Sequence, residues 1–458
     1  MKPIVLLLPL LVPGLGLAEE WTRFRGPNGS GIASGPAFPS RFSRQQNMLW
    51  RAAARPGKSS PVLTEKHVFL TGFAENKLFT QCFDRTTGRL VWEAAEERPR
   101  DEPGNALNHP AAITPVTDGE NVYVFFKDYG LLSYGPAGQL RWKTPLGPFA
   151  NSMGLGASPI LSGDTVIVVA DQLEGSFIAA FDTRNGETRW RTNREEGESW
   201  ATPVLYQPSD GPARILTTGR SLFGVHSAAD GKRLGGMDGI SPATVASPVV
   251  DGDVLYQFGY GDDSAPPFST RLEKLDKDGD GRLSAAEFGN DAFLRSIARY
   301  GGDRDGFVTA GEWDERRKTV LGHNGVTAVG LEGAEPRARW KLKKSVTGVI
   351  PSPLLYDGIL YIVRNGGILM SIDAAEGKIR KEARVEGALG GFSASPVAAA
   401  GHILLVSEDG HAAVVKAGAE WESIAVNDLD EAVFATPALS DGKIFLRTSE
   451  ALYCFGAR

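Results

Sequence analysis

A twelve-residue segment, Asp276–Glu287, places oxygen-bearing side chains at alternate positions and ends in a glutamate. Calcium takes about six to eight hard oxygen ligands, and an EF-hand loop supplies them from fixed positions around a glycine turn. The positions that match are Asp276, Asp278, Asp280, Gly281, Arg282 through its carbonyl, Ser284 and Glu287. Because such crowded carboxylates repel one another without a cation, we predict that this loop binds calcium.

A second, incomplete copy of the loop begins 25 residues later, at Gly301. Its matching positions are Asp303, Asp305, Gly306, Phe307 through its carbonyl, Thr309 and Glu312. Gly301 provides no side-chain oxygen at the first position, so we expect weaker calcium binding and a mainly structural role. Leu283, at the eighth position of the first loop, is expected to pack against this partner loop. A short helix is predicted over residues 291–300, with Phe293, Leu294 and Ile297 on one face.

The chain has few residues that could bind other metals or attach a cofactor. Two cysteines exclude a four-thiolate zinc site, an iron–sulfur cluster and a c-type haem attachment. Six histidines, none in an H-E-x-x-H pair, leave little for a zinc hydrolase. The net charge of −6 argues against a surface that binds nucleic acid. Cys82 and Cys454 occupy matching places in repeated segments, and two alternatives stay open: a disulfide between them, or two buried thiols.

Most of the chain repeats a unit that starts with Ser-Pro or Thr-Pro and continues into apolar residues. Between successive units, six of the seven intervals lie between 41 and 54 residues, and one is 105. This period is the length of one four-stranded propeller blade, and hairpin turns such as Asp357-Gly358 recur within it. The dipeptides start at Ser60, Thr114, Ser158, Thr202, Ser247, Ser352, Ser395 and Thr436.

The two ends of the repeat region predict how the ring closes. The eighth unit stops after three strands, and a strand with the missing tryptophan, Leu49–Arg51, lies near the N-terminus. Pairing it with Ala451–Phe455 would leave no long free edge. We therefore predict an all-β, eight-bladed β-propeller of four-stranded antiparallel blades. The expected parts are an N-terminal extension at 19–46, the propeller at 47–458 and the EF-hand insertion at 264–321 within blade five.

Two segments, Phe83–Trp92 and Phe181–Trp190, resemble the repeats of the PQQ-like propeller family. The N-terminal segment Trp21–Gly29 is similar to the start of exported bacterial members of that family. In the family, a tryptophan docks each blade against its neighbour. The resemblance implies this role for Trp50, Trp92, Trp142, Trp190, Trp340 and Trp421, whereas Gly235 and Lys381 stand where a tryptophan is expected.

The family includes quinoprotein alcohol dehydrogenases as well as BamB, a component of outer-membrane assembly. The dehydrogenases hold the quinone PQQ on a tryptophan floor, with calcium bound by acidic and amide side chains and an aspartate base. Many also have two adjacent cysteines, which this chain lacks. The resemblance therefore indicates the fold more strongly than an activity, and we expect calcium rather than PQQ as the bound cofactor.

The blade topology indicates where a ligand would bind. Loops that join the second to the third strand share one face with the segments before each Ser/Thr-Pro, so the insertion lies beside the channel mouth. The side chains predicted to form a ligand site there are Asn108, His109, Asn151, Glu198 and Trp200. A general base, amides and an aromatic wall suit such a pocket. The alternative is ordinary hydrogen bonding and packing between blades.

Residues 1–18 have the pattern of a signal peptide, with Lys2, an apolar run and small residues Gly16 and Ala18 before the predicted cleavage site. We expect an exported protein of the periplasm or the extracellular space that does not span the membrane. The predicted function is a noncatalytic scaffold that binds an envelope polypeptide or glycan. The alternative is a PQQ-dependent dehydrogenase acting on alcohols or sugars. The sequence leaves the oligomeric state open.

Overall fold

The computed structural model of the protein describes residues 19–457, apart from 103–107, 221, 239, 241–244, 261–265, 292–293, 296, 299–301, 321–323, 334 and 345–349. The predicted signal peptide, Phe293 and Gly301 lie outside the described residues. Eight antiparallel sheets, each with four strands from the repeat, form the body of the protein. The predicted eight-bladed β-propeller is confirmed.

Each blade runs from a short inner strand to an exposed outer strand. Blades one to four consist of Val62–Leu63, His67–Ala74, Lys77–Asp84 and Leu90–Glu97; Val116–Thr117, Val122–Phe126, Gly130–Tyr134 and Leu140–Pro145; Ile160–Ser162, Thr165–Ala170, Phe177–Asp182 and Thr188–Asn193; and Val204–Tyr206, Arg214–Thr218, Leu222–Ser227 and Arg233–Asp238. Blades five to eight consist of Val249–Asp251, Val254–Gly259, Gly325–Gly330 and Arg337–Lys343; Leu354–Tyr356, Ile359–Arg364, Ile368–Asp373 and Ile379–Arg384; Val397–Ala399, His402–Val406, His411–Lys416 and Glu422–Asp428; and Ala438–Ser440, Lys443–Arg447, Ala451–Phe455 and Met48–Ala53.

Blade eight joins the two ends of the chain. Its outer strand Met48–Ala53 pairs antiparallel with Ala451–Phe455, and Trp50 stands opposite Cys454. The predicted closure of the ring is confirmed. Because the last sheet is completed by the N-terminal strand, the ring has no unpaired blade at its seam.

The Ser/Thr-Pro dipeptides form a continuous ring of hydrogen bonds around the channel. The backbone N–H of Ser60 donates to the Thr114 hydroxyl at 2.9 Å, and each following residue donates to the hydroxyl of the next blade. The Thr436 N–H closes the ring by donating to Ser60 Oγ at 3.1 Å. All eight residues are buried, so each N–H is satisfied by the neighbouring blade.

Outside this ring, tryptophans lock the blades together. The Trp50 indole lies on Gly88 of blade one, where a Cβ would come within 2.5 Å of the ring, and its Nε1 donates to the Arg85 carbonyl at 3.2 Å. Gly88 has a φ of 73°, which also favours glycine in this turn. The same contact onto a glycine of the next blade is made by Trp92, Trp142, Trp190 and Trp340.

The two positions without tryptophan are accommodated differently. Lys381 of blade six places its ammonium 4.2 Å from the centre of the Trp421 ring and donates to the Trp421 carbonyl at 2.6 Å. Trp421 is therefore the receiving partner of this contact, and it packs in the apolar cluster between blades six and seven rather than docking blade seven against blade eight. Next to Gly235 of blade four, the Tyr206 hydroxyl donates to Asp253 of blade five at 2.5 Å.

The N-terminal segment 19–46 crosses one end of the channel. Trp21 pairs with Leu63 of blade one, Arg23 donates to the Pro203 carbonyl at 2.7 Å, and Arg25 donates to the Pro353 carbonyl at 2.6 Å. Residues Ile32–Ala33 then add a parallel strand to blade seven, after a 3₁₀ turn at Pro27–Gly29. These contacts lie in or next to the inner strands of blades one, four, six and seven, which surround the axis. The segment therefore closes this end of the channel. Burial lowers the pKa of Arg23 and of Arg25 to about 9.

The long repeat interval contains a helical insertion between the second and third strands of blade five. Its helices include Phe268–Leu275, Ala285–Phe288 and Ala310–Val320. A separate apolar cluster holds the insertion together, and its buried members include Leu283, Leu294, Ile297, Val308 and Trp313. Leu294 and Ile297 are helical, as predicted. Within the described part of the chain, no helix combines the length and apolar character needed to cross a bilayer.

The hydroxyl ring can be tested at Ser352, which accepts the Ser247 N–H at 3.0 Å. Replacing Ser352 by alanine should lower the free energy of unfolding by about 1–3 kcal/mol, because a buried N–H loses its acceptor. Ser352→Thr keeps the hydroxyl and should be close to wild type, as threonine already fills three of the eight positions. Denaturant titration measures both; an equal effect of the two variants would contradict the role of the hydroxyl.

Candidate functional site

The channel forms a cup of about 260 Å³ that is closed at one end. Phe24, from the N-terminal segment that crosses the axis, is its floor, and the eight Ser/Thr residues of the hydrogen-bond ring are its wall. Each ring hydroxyl accepts one backbone N–H and keeps its own proton for donation. The cup therefore presents a collar of hydroxyl donors between apolar surfaces.

Two of the predicted site residues, Asn108 and Trp200, lie at the mouth of this cup. Both donate to the Gly154 carbonyl, Asn108 through Nδ2 at 3.0 Å and Trp200 through Nε1 at 2.7 Å. Asn108 Nδ2 also lies 2.8 Å from the Met153 carbonyl. These bonds fix the two side chains and leave the indole face of Trp200 as part of the cup wall.

Lys58 is a mouth residue that the sequence reasoning missed. Its ammonium lies 3.7 Å from the centre of the Phe434 ring, and both side chains line the cup. Burial lowers the pKa of Lys58, partly offset by the charge of Glu408. Lys58 is the one side chain with a full charge among the described residues that line the cup. The sequence could have indicated Lys58, because it lies two residues before Ser60 and the residues just before each Ser/Thr-Pro dipeptide face the channel mouth.

The other predicted site residues lie elsewhere. His109 packs edge-on against Phe73 with 5.7 Å between ring centres, and its Nδ1 accepts the Ala111 N–H at 3.2 Å. Asn151 is buried and donates to the Asp171 carbonyl at 3.1 Å. The contacts of His109 and Asn151 are therefore ordinary packing and hydrogen bonding, which was the alternative to a ligand site.

Glu198 faces a second cavity, of about 790 Å³, which lies between the propeller and the insertion. Its Oε1 accepts the hydroxyl of Ser152 at 2.8 Å and also the Ser152 backbone N–H. Trp200 and Met153 line both this cavity and the cup. The two spaces are therefore neighbours separated by these two side chains.

The loop Asp276–Glu287 brings three of its predicted ligands together. Carboxylate oxygens of Asp276, Asp278 and Glu287 lie within 4.8 Å of one another. Glu287 accepts N–H groups from Ser284 and Lys277, each at 2.8 Å, and these bonds lower its pKa to about 2. The Asp280 carboxylate is bonded instead by the Arg282 guanidinium at 3.1 Å. This donor set of hard oxygens fits calcium.

The two loops pair through their eighth residues. Leu283 and Val308 exchange backbone hydrogen bonds of 2.9 Å in each direction, and both side chains are buried. The predicted contact of Leu283 with the partner loop is confirmed. In the second loop, Glu312 Oε2 accepts the Thr309 N–H at 2.9 Å, whereas the buried Oε1 has no hydrogen-bond partner.

In the second loop, Asp303 accepts the Asp305 N–H at 3.1 Å and Asp305 accepts the Phe307 N–H at 2.9 Å. Asp305 also forms an ion pair of 3.9 Å with Arg282 of the first loop. The Phe307 ring centre lies 4.1 Å from the Arg282 guanidinium of the first loop. The two loops therefore hold each other through the backbone and through this stacking contact.

Cys82 and Cys454 are free, buried thiols. They belong to different apolar clusters, Cys82 between blades one and two and Cys454 between blades eight and one. Burial raises the pKa of each thiol to about 12. Of the two alternatives open from the sequence, the structure has the buried thiols.

Comparison with known proteins finds one matching family profile and solved structures of the same architecture. The profile of a family described as "Outer membrane protein assembly factor BamB" matches residues 45–234. BamB from Moraxella catarrhalis has a TM-score of 0.53 at 11% identity, covering 84% of this chain and 96% of that chain. The computationally designed Ika8 protein has a TM-score of 0.53 at 12% identity, covering 90% and 100%.

A quinohemoprotein alcohol dehydrogenase from Comamonas testosteroni has a TM-score of 0.43 at 12% identity, covering 96% of this chain and 81% of that chain. No curated protein matches the sequence. The likenesses to BamB and to the designed propeller concern the fold.

The environment of His109 can be tested by titration. Burial, with nearby cationic charges including Arg447, lowers its pKa to about 4 from an ordinary 6.5. As the pH falls, the His109 ring is therefore protonated in the unfolded chain before it is protonated in the folded protein. The contribution of neutral, buried His109 to the free energy of unfolding should be fully present above about pH 6.5 and should decline as the pH falls toward 4. NMR titration of its ring, assigned with His109→Gln, should give a midpoint well below 6.5; a midpoint near 6.5 would contradict the buried packing.

Proposed function

Because the chain belongs to the PQQ-like β-propeller family, we propose that it is an exported, noncatalytic propeller that binds an envelope polypeptide or a glycan through its channel-mouth face. The predicted signal peptide and the match to a profile named for outer-membrane assembly support a place in the periplasm or outside the cell. The match also favours a polypeptide of the envelope as one class of partner.

The residues that line the cup carry this proposal. Among the described lining residues, none is acidic, and Lys58 is the only fully charged side chain. A quinoprotein dehydrogenase requires an acidic calcium ligand beside the quinone and a carboxylate base, and the floor here is Phe24 rather than a tryptophan. The cup residues therefore do not fit PQQ with its calcium. They fit a ligand that is recognised by hydrogen bonds and aromatic contact.

Hydroxyl donors and an exposed aromatic face suit both proposed partners. A glycan offers hydroxyl acceptors and apolar ring faces, and a polypeptide offers carbonyl oxygens and apolar side chains. The ring hydroxyls supply donors, while Trp200, Phe434 and Phe24 supply flat apolar surface. Tryptophan is enriched among residues that dominate binding energy, which favours Trp200 as an anchor.

We also propose that the insertion binds calcium through its first loop. Asp276, Asp278 and Glu287 would supply carboxylate oxygens, and Ser284 and the Arg282 carbonyl complete the predicted set. The second loop would act mainly as its structural partner through the Leu283–Val308 pair. Since the insertion has its own apolar cluster, calcium should order the insertion while the propeller folds largely without it.

Calcium titration of matched variants tests this assignment. Glu287→Gln should lower the affinity of the tightest calcium site by about tenfold or more, because the closing carboxylate supplies charge and two oxygens. Glu312→Gln, at the equivalent place in the second loop, should leave that site nearly unchanged. Isothermal titration calorimetry gives both affinities. Equal losses in the two variants would contradict a main site in the first loop.

Hydrogen exchange with and without a chelator tests the separation of the two parts. Chelation should raise exchange in residues 268–320 and leave the blade strands protected, because the calcium ligands all come from the insertion. A chelator that unfolds the whole protein in one transition would show that the propeller also depends on calcium.

Binding assays separate the noncatalytic function from the dehydrogenase. On arrays of bacterial-envelope glycans and peptides, Trp200→Ala should weaken binding by about tenfold or more, because aromatic anchors contribute about 2 kcal/mol or more. Leu140→Ala, at an exposed apolar residue of the outer strand of blade two, is the matched control. A shifted PQQ spectrum together with dye reduction by alcohols or sugars, in the presence of calcium, would favour the dehydrogenase instead.

A further inference from the structure

The cavity of about 790 Å³ between the insertion and the propeller has walls from both parts. Trp200, Leu173 and Arg220 come from the propeller, whereas Ile297 and Arg316 come from the insertion. An ion pair of 3.0 Å between Arg304 and Glu174 joins the two parts. This volume is in the range of small-molecule sites, which is about 300–1,000 Å³.

Arg220 is a buried cation that lines this cavity and is only 8% exposed. Its Nε is buried without a hydrogen-bond partner. Within the described part of the chain, its guanidinium makes neither a hydrogen bond nor an ion pair. Burial lowers its pKa to about 10, and the charge of Arg316 contributes. A buried charge without a partner is costly, so its retention points to a ligand of opposite charge.

Arg316 approaches the same cavity from the insertion, on helix Ala310–Val320. Burial lowers its pKa as well. Two guanidinium groups that face one space form a fork-shaped set of donors for a planar oxyanion such as a carboxylate. Because each arginine comes from a different part of the protein, the cavity exists only when the insertion is docked.

Three carboxylates also line the cavity: Glu198, Glu312 and Glu315. Glu198 is held by Ser152, and Glu312 Oε2 is held by Thr309. Glu315 is exposed. None of the three forms a described ion pair with Arg220, although the charges of Glu198 and of Glu196, which does not line the cavity, act on it from a distance. Arg220 is thus left as the cation available to a ligand.

We propose that this cavity binds a small organic oxyanion, held by Arg220 and Arg316, with its apolar body against Trp200, Met153 and Leu173. The site is separate from the cup and does not depend on which partner the cup binds. A carboxylate is the simplest such group; phosphate and sulfate esters share its chemistry.

Fluorine NMR titration with 4-fluorobenzoate and 4-fluorobenzamide tests the charge requirement, since the two probes have nearly the same shape. The wild-type protein should bind the benzoate at least tenfold more tightly than the benzamide. Arg220→Gln should remove this preference, and Arg220→Lys should retain part of it because the charge remains. Arg295→Gln, an exposed arginine of the same insertion that does not line the cavity, is the matched control.

The proposal is overturned if neither probe binds at its highest soluble concentration, if both bind equally, or if Arg220→Gln keeps the preference for benzoate. Arg316→Gln provides a second variant if Arg220→Gln does not fold, as judged by circular dichroism, and should lose the preference likewise. Competition by phenyl phosphate and phenyl sulfate then ranks the oxyanion classes. Binding to the glycan and peptide arrays should be unchanged in Arg220→Gln, so failure of this site and failure of the cup are distinguishable.

Discussion

The fold depends on the bond between a backbone N–H at the start of each inner strand and the hydroxyl of the next blade. The inner strands span only two or three residues, so they have few ladder bonds of their own. The residue after each hydroxyl is proline, which has no N–H to donate. A single side-chain bond therefore satisfies the buried donor and sets the distance between neighbouring blades. Repeated eight times without a break, it fixes the radius of the channel and the wall of the cup.

Contacts farther from the axis adapt to this ring. Most outer strands place a tryptophan on a glycine of the next blade, and the glycine is required because a side chain would occupy the position of the indole. At blade six the contact is reversed, since Lys381 supplies the cation and Trp421 the aromatic ring. The inner ring has the same chemistry in every blade, whereas the outer contacts vary. The axis is therefore the constant part of the structure.

The channel-mouth face combines two neighbouring cavities that differ in the chemistry of their lining residues. The cup is lined by hydroxyls and aromatic rings, whereas the cavity beside it contains buried guanidinium and carboxylate groups. Trp200 and Met153 line both spaces, so a ligand that moves either side chain in one space alters the wall of the other. The N-terminal segment crosses the far end of the channel, where its two arginines donate to proline carbonyls next to the hydroxyl ring.

The sequence by itself determined the period, the number of blades, the closure through Trp50 and the pairing of the two acidic loops, because each of these depends on residue types at fixed spacing. It also located Asn108 and Trp200 at the mouth. Only the tertiary structure decided that Glu198 faces a different cavity, that His109 packs against Phe73, and that Lys58 enters the cup. Only the tertiary structure places Arg220 and Arg316 in the wall of the same cavity. These outcomes depend on where loops from distant blades meet, and local spacing carries no information about the direction in which a loop side chain points.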